Sequence, residues 1–576
     1  MRFYVLVSWA ALAVGACAQS SSADAYVASE SPIAKAGLIA NIGPSGSKSS
    51  GAKSGIVIAS PSSSSPDYLY TWTRDSSLVF NTVIDQFTTG EDTTLRGLID
   101  DFTAAEAILQ QTSNPSGTVS SGGLGEPKFN IDETAFTGAW GRPQRDGPAL
   151  RATAIITYAN WLLANGNGTS YVLNTLWPII ELDLNYVENN WNQSTFDLWE
   201  EVNSSSFFTT AVQHRALREG AALATAIGQT SVVSGYTTQA DNLLCFLQSY
   251  WNSGSGYVTA NTGGGRSGKD ANTVLTSIHT FDVEAGCDAV TFQPCSDKAL
   301  SNLKVYVDAF RSIYGVNSGV ASTAAVATGR YPEDSYYNGN PWYLAVFAVA
   351  EQLYDALITW DQLGGLNVTS TSLTFFQQFD SSMTAGSYDS SSSTYSTLTA
   401  AVKDFADGFL EVNAKYTPST GALSEQFDKS SGSQTSASDL TWSYASALTA
   451  FAARSGKTYA SWGAAGLTST CGGSGGGGGS GTVSVTFNVD ATTVWGENIY
   501  ITGSVDALED WSPDNALILS AANYPIWSIT LSLPASTYIE YKYIRKYNGA
   551  VTWESDPNDS ITTPASGSYI QNDTWR

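Results

Sequence analysis

Apolar residues recur every three to four positions in long runs through the first 471 residues. Ala152, Ile155, Ile156, Ala159, Leu162 and Leu163 fall on one helical face, and Leu173, Leu176, Ile180, Leu184 and Val187 repeat the pattern after an Asn-Gly break. Similar runs cover about 206–227, 297–314, 341–360, 398–412 and 437–454. Long loops rich in Gly, Ser, Pro and Trp separate them, and no short repeat marks a solenoid. The pattern predicts an all-α domain of many helices whose long loops carry function rather than stability.

Beyond Thr482 the period changes to two. Val483, Val485, Phe487 and Val489 alternate with polar residues, and strands are predicted at Ile499–Thr502, Trp527–Leu533 and Tyr538–Ile544, with a turn at Tyr547-Asn548-Gly549. This reads as a small antiparallel β-sandwich, and 95 residues suffice for it to fold alone. Between the two patterns, Gly472 to Gly481 is a Gly/Ser coil with a reach of roughly 16–19 Å. Residues 19–471, 472–481 and 482–576 are therefore expected to be helical domain, linker and β domain.

Residues 1–18 read as a secretory signal: Arg2, an apolar stretch from Phe3 to Gly15, and Ala16-Cys17-Ala18 as a small-residue cleavage site. The apolar run is too short to span a bilayer, so an extracellular protein starting at Gln19 is expected. Sequons at Asn167, Asn192, Asn203, Asn367, Asn558 and Asn572 agree with secretion. Four cysteines then remain in an oxidising compartment, and the expected pairs are Cys287–Cys295 and Cys245–Cys471.

The formal charge of −25 disfavours nucleic acid and anionic membranes. A neutral ligand is compatible, and 17 Trp and 29 Tyr offer rings on which the C–H faces of a sugar can stack. His214 and His279 are the two histidines, so a histidine metal cluster is not expected, and no cofactor is implied.

Asp197-Leu198-Trp199-Glu200-Glu201-Val202-Asn203 places two acids beside a Trp. A glycosidic oxygen leaves readily only when protonated, and apolar neighbours and a like charge keep a proton on a carboxyl near working pH. Most Glu-Glu pairs are solvated surface, so the pair alone selects nothing. Its setting does. Tyr68 to Asp75, Gly138 to Gly147, Asp197 to Asn203, Gly329 to Asp334, Tyr336 to Trp342, Ser424 to Asp428 and Asp439 to Tyr444 resemble the fungal glucoamylases, the family 15 glycoside hydrolases, in family order from about residue 30 to 471.

The resemblance implies an (α/α)6 barrel of six inner and six outer helices with a loop-built pocket at one end. It implies Glu200 as general acid and Glu425 as general base of an inverting hydrolase, which needs the two carboxyls roughly 6.5–9.5 Å apart. Arg74, Asp75 and Arg330 match residues that hold the terminal glucose. Tyr68, Trp72, Trp140, Tyr336 and Trp442 match pocket aromatics, and Trp199, Glu201 and Trp342 match positions around the scissile bond. Core packing is the competing role for the tryptophans, most of all Trp72 and Trp442, and a loop-shaping ion pair for Arg74 and Asp75. Asp197 is a candidate for orienting the Glu200 turn.

The second domain resembles the family 20 starch-binding domains. Trp511 and Trp553 match one stacking platform with Lys542 and Asn558 nearby, and Trp495 and Tyr524 match a second site. Trp527, at a strand position, is the core candidate. Trp495 replaces a Tyr common in relatives, no Cys follows Cys471, and Asn558 is expected to stay unglycosylated because a glycan there obstructs the platform. The implied ligands are starch and maltooligosaccharides, acted on from chain ends by a monomer. A non-catalytic starch-binding protein, or a barrel hydrolase for another α-glucoside, is the alternative.

Overall fold

The computed structural model describes residues 22–469 and 482–576, apart from Asn167, Trp495, Asp514, Ala535, Ser536, Ala565 and Ser566. The signal at 1–18, the linker and Cys471, and with it the Cys245–Cys471 pairing, lie outside the described residues. The chain divides into two compact units, Met1–Ser469 and Thr470–Arg576.

The first unit alternates outer and inner helices. The outer six are α1 (Ser22–Ala40), α3 (Arg96–Gln111), α5 (Trp177–Asn190), α7 (Val233–Gln248), α9 (Asp297–Ala309) and α11 (Ser393–Tyr416). The inner six are α2 (Thr73–Thr88), α4 (Asp146–Ala164), α6 (Phe207–Ala226), α8 (Ala271–His279), α10 (Tyr343–Leu363) and α12 (Thr441–Arg454). Each inner helix packs on the next, and α12 packs back on α2, which closes the ring. This is the expected (α/α)6 barrel.

Local chemistry sets the ends. Ser296 and Ser392 cap α9 and α11 by accepting from the N–H groups of Ala299 at 3.2 Å and Tyr395 at 3.1 Å. The last turn of α10 closes on Gly364, whose φ of 68° suits glycine. Inner helices are buried on nearly every side, and several of their charged residues are held in pairs. Arg151 of α4 binds Asp183 of α5 at 2.8 and 2.6 Å and Glu106 of α3 at 2.9 Å. The Phe80 and Phe102 rings stack at 4.0 Å and join α2 to α3. Cys287 and Cys295 form a disulfide. His214 is buried and its Nε2 accepts from Arg218, whereas His279 Nε2 has no hydrogen bond among the described residues.

The second unit contains β1 (Thr482–Asp490), β2 (Asn498–Gly503), β3 (Leu517–Ile518), β4 (Ser520–Asn523), β5 (Ile526–Pro534), β6 (Tyr538–Tyr547), β7 (Ala550–Trp553), β8 (Asp559–Thr562) and β9 (Ser568–Thr574). One sheet has the order β4-β5-β1-β9; the other has β3-β2-β6-β7, with β8 also on β6. The expectation of a wholly antiparallel sandwich needs one correction, because β1 and β9 pair in parallel. The last strand returns beside the first in the same direction. Tyr547 pairs with Ala550 across Asn548-Gly549, both at positive φ, as a two-residue hairpin requires. Trp527 is core: it is buried and its indole N–H donates to the Ala491 carbonyl at 3.0 Å. No helix among the described residues is long and apolar enough to cross a membrane.

Candidate active site

The N-terminal ends of the inner helices and the loops before them surround a cavity of about 610 Å³. Helix N-termini carry partial positive charge, which favours carboxylates at this end. The thirteen residues expected to act on or hold substrate in this domain line it: Glu200 and Glu425, the charged Arg74, Asp75, Glu201 and Arg330, and the aromatic Tyr68, Trp72, Trp140, Trp199, Tyr336, Trp342 and Trp442. Trp72 and Trp442 are also 5% and 6% exposed, so packing and lining are not exclusive roles.

Glu200 sits on a loop held by the short antiparallel pair Thr195–Phe196 with Asn203–Ser204. Asp197, fully buried, accepts from the N–H groups of Glu201 at 2.9 Å and Val202 at 3.1 Å, and its carbonyl accepts from Glu200 N–H at 2.8 Å. These bonds hold Glu200 at φ 66°, a left-handed conformation uncommon for a residue with Cβ. The turn sends three successive side chains apart. Trp199 donates to Asp270 at 2.7 Å; Glu201 meets Arg330 at 2.9 Å, Arg266 and the Tyr331 hydroxyl; Glu200 enters the cavity. Its Oε1 accepts from the Trp72 indole at 2.8 Å, the Gln144 amide at 3.1 Å and Arg74 at 3.4 Å. No described residue hydrogen-bonds Oε2.

Glu425 arrives from the other side, 2% exposed. Gln426–Phe427 pairs with Gln434–Thr435, and this hairpin folds Ser436 back so that its hydroxyl donates to Glu425 Oε2. The Gln426 amide donates to the same oxygen at 2.9 Å. Burial pushes the Glu425 carboxyl up to about 7, against the pull of Ser436 and Arg330.

The arginines are fixed by other acids. Arg74 NH1 binds Asp146 at 2.9 Å and Gln144 at 2.8 Å, while Asp75 is 3.9 Å from its Nε, which has no hydrogen bond among the described residues. The adjacent Arg74–Asp75 pair is thus a loose contact, and Asp146 carries the ion pair. Burial pushes Asp75 up to about 7 despite Arg74. Arg330 is clamped by both oxygens of Asp334, at 2.8 and 2.6 Å, and its guanidinium carbon lies 5.1 Å from the Tyr336 and Trp342 ring centres. Tyr68 and Tyr336 join hydroxyls at 2.9 Å, and Trp72 stands edge-on to Trp140 at 5.9 Å.

Lys128 lines the same cavity and sequence reasoning passed over it. It is 2% exposed, and its ammonium lies 3.6 Å from the Trp140 ring centre, 4.0 Å from Tyr70, 4.3 Å from Phe136 and 4.5 Å from Trp72. Burial pulls its pKa down to about 8, opposed by Glu200 and Asp67. Four ring faces hold this cation. A lone Lys between Pro127 and Phe129 carries no such signal in sequence, and neither does Ser436.

In the β domain, Tyr524 and Trp553 are 51% and 40% exposed and Trp511 is half-buried. Trp495 lies outside the described residues. Lys542 is buried, with its ammonium on Asp556 at 2.5 Å and on the Glu554 carbonyl at 3.1 Å; Asn558 is exposed, with its amide 3.5 Å from Glu540. The sequon residues Asn192, Asn203, Asn367, Asn558 and Asn572 are all exposed, and Asn167 lies outside the described residues.

The profile described as glycosyl hydrolases family 15 matches residues 32–452, and the starch binding domain profile matches 482–573. The chain is 68% identical to Glucoamylase-1 of Schizophyllum commune, covering 97% of each chain, and 50% identical to the glucoamylase of Neurospora crassa, covering 96% of this chain and 94% of that one. Among solved structures, the family 15 glucoamylase from Hypocrea jecorina superposes with a TM-score of 0.77 at 51% identity, covering 96% of this chain and 100% of that one. The glucoamylase of Hormoconis resinae gives 0.75 at 44% identity, covering 96% and 98%. A barrel whose inner-helix ends enclose two carboxylates, a chain-long likeness to these enzymes and the two profile matches agree: this chain belongs to the glycosyl hydrolases family 15 and carries a starch binding domain.

Proposed function

We propose that the chain is a secreted, monomeric glucoamylase that removes glucose from the non-reducing ends of starch and maltooligosaccharides, with inversion to β-glucose. It acts on α-1,4 bonds and more slowly on α-1,6 bonds. The carrying observation is that Glu200 and Glu425, from separate loops, line one cavity with Arg74, Asp75 and Arg330.

The donor pattern supports the roles. Three donors converge on Glu200 Oε1, which leaves Oε2 to carry a proton to the glycosidic oxygen. Two donors on Glu425 Oε2 oppose the burial that pushes its carboxyl up to about 7, and holding Oε2 leaves Oε1 to meet the attacking water. Water attacks C1 as the C1–O bond breaks. The bonding electrons leave with the glycosidic oxygen, which takes the Glu200 proton, while the water's proton passes to Glu425. Arg74, fixed by Asp146, and Arg330, fixed by Asp334, present preset N–H forks to sugar hydroxyls. Sugar oxygens also supply acceptors to the Arg74 Nε, Trp140 and Trp342 N–H groups, which have none among the described residues. The inner-helix ends close the cavity behind the terminal glucose, which makes cutting end-wise.

In the second domain, exposed Trp553 and Trp511 form a starch-stacking platform, with Tyr524 and Trp495 at another site. Lys542 and Asn558 flank the first. The exposed sequons Asn192, Asn203 and Asn367 accept glycans, as does Asn167, and Asn558 stays bare. Glu200→Gln and Glu425→Gln each lower maltose turnover by roughly 10²–10⁴-fold while the fold persists. Proton NMR of the first product reads the anomer. Near-normal turnover of either variant removes that residue's role, and α-glucose as first product removes inversion.

A further inference from the structure

A second cavity, of about 440 Å³, lies at the opposite end of the barrel, lined from the later parts of all six inner helices. Its acids are Asp85 of α2, Glu219 of α6, and Glu351 and Asp355 of α10. We propose that this cavity binds a small organic ammonium ion.

Three observations carry the inference. Asp355 is 3% exposed, lines the cavity, and its carboxyl takes no hydrogen bond or ion pair from any described residue. The Asp85 carboxyl likewise has no hydrogen bond among the described residues, and Glu351 has the Thr449 hydroxyl at 2.5 Å. Buried carboxyls without donors are costly, and a cation between them relieves that cost. Arg215, in the same wall, bonds the His279 carbonyl at 2.7 Å and pairs with Glu219 at 3.2 Å, which offsets one of the four acids and leaves Asp85, Glu351 and Asp355 without an ion pair among the described residues; Lys457 pairs with Glu91. The C-terminal turns of α2, α8 and α12 also border this space, and helix C-termini add negative potential.

Size and walls select the cation. The volume is that of a small-molecule site and exceeds what one bare ion fills. Among the described residues, no group of acids or histidines has the spacing to hold a metal. Trp161 and Tyr459 contribute aromatic rings to the wall, and Tyr459 lies close enough to Asp85, Glu351 and Asp355 that all three raise its pKa. Rings beside clustered carboxylates suit an alkylammonium group.

Calorimetric titration of the full chain with 1,4-diaminobutane at mildly alkaline pH tests this. One site per chain is expected, retained in Glu200→Gln and weakened about tenfold or more in Asp355→Asn. The diamine should also raise Tm of the parent and not of that variant. Asp85→Asn carries the same test if Asp355→Asn does not fold. The proposal is overturned if no binding occurs, if both cavity variants bind like the parent, if sodium chloride at equal ionic strength gives the same Tm shift, or if Glu200→Gln abolishes binding. The last result places the amine in the other cavity.

Discussion

Replacing Ser436 by Ala tests the assignment of Glu425 as base through its protonation rather than its presence. Ser436 donates to Glu425 Oε2, and the carboxyl is 2% exposed, so cavity water replaces the lost donor only in part. A hydrogen bond to a charged group is worth about 1.5–3 kcal/mol. One pKa unit corresponds to about 1.4 kcal/mol. Losing a bond that favours the ionised form therefore raises the Glu425 pKa by roughly 1–2 units, from a value already pushed up to about 7. A base acts only when deprotonated. The acidic limb of kcat/KM should move to higher pH by that amount, with turnover on the acidic side down tenfold or more and recovery as pH rises. The assay is maltose hydrolysis from acidic to alkaline pH, far enough to follow the raised limb. Ser436 has φ 63°, so Ser436→Gly, which relaxes the backbone, should shift the limb equally and separate the lost donor from strain. An unmoved limb, or one displaced to lower pH, refutes the reasoning.

Stability should fall with rising pH. Burial raises Asp270, Glu351 and Glu30 to about 8, so each favours the fold below its unfolded pKa near 4 and loses that contribution as pH climbs through about 8. Buried His214 and His279, held down to about 3, act oppositely as pH drops below about 6.5. Between about 6.5 and 8 the carboxyls stand alone, and a calorimetric Tm that rises across this window contradicts the account. Arg151→Met leaves Asp183 and Glu106 buried without their cation and should cost about 3–5 kcal/mol in denaturant unfolding. Trp527→Ala empties a core position and should cost about 3–5 kcal/mol in the β domain. Trp553→Ala, at an exposed ring, should leave folding intact and weaken granular starch binding in a sedimentation assay; the reverse ranking of these two variants sinks the core and surface assignments.

The helices that periodicity found sit where it pointed: 206–227 became Phe207–Ala226, and 297–314 became Asp297–Ala309. It missed α1, α2, α3, α7 and α8. The sequence Ala-Asn-Thr-Val-Leu-Thr-Ser-Ile-His of α8 shows why. It is nine residues long, little more than two turns, so its apolar Val274, Leu275 and Ile278 form too short a run to be told from a buried strand. In the β domain β1, β2, β5 and β6 were legible in the sequence, while β3, β4, β7, β8 and β9 were not: β4 and β7 are exposed at every position, so no buried face marks them, and the parallel pairing of β1 with β9 joins residues 84 apart and leaves no local trace.

Residue pattern and composition determined the classes, two domains of different period and a charge unsuited to polyanions, and the resemblance carried by the long motifs named which acids and rings are candidates for the site. Tertiary structure decided what those residues can do. Glu200 differs from its neighbour Glu201 because a turn at positive φ points one into the cavity and the other at Arg330. Glu425 differs from a surface glutamate because the hairpin that starts at the next residue brings Ser436, eleven residues on, against it. Lys128 has a place only because four rings from distant segments close around it. Local turns aim Glu200 and Glu425, and groups that meet across the ring of helices, such as Trp72 and Arg74 on Glu200, complete their surroundings, which packing sets and the local sequence does not show.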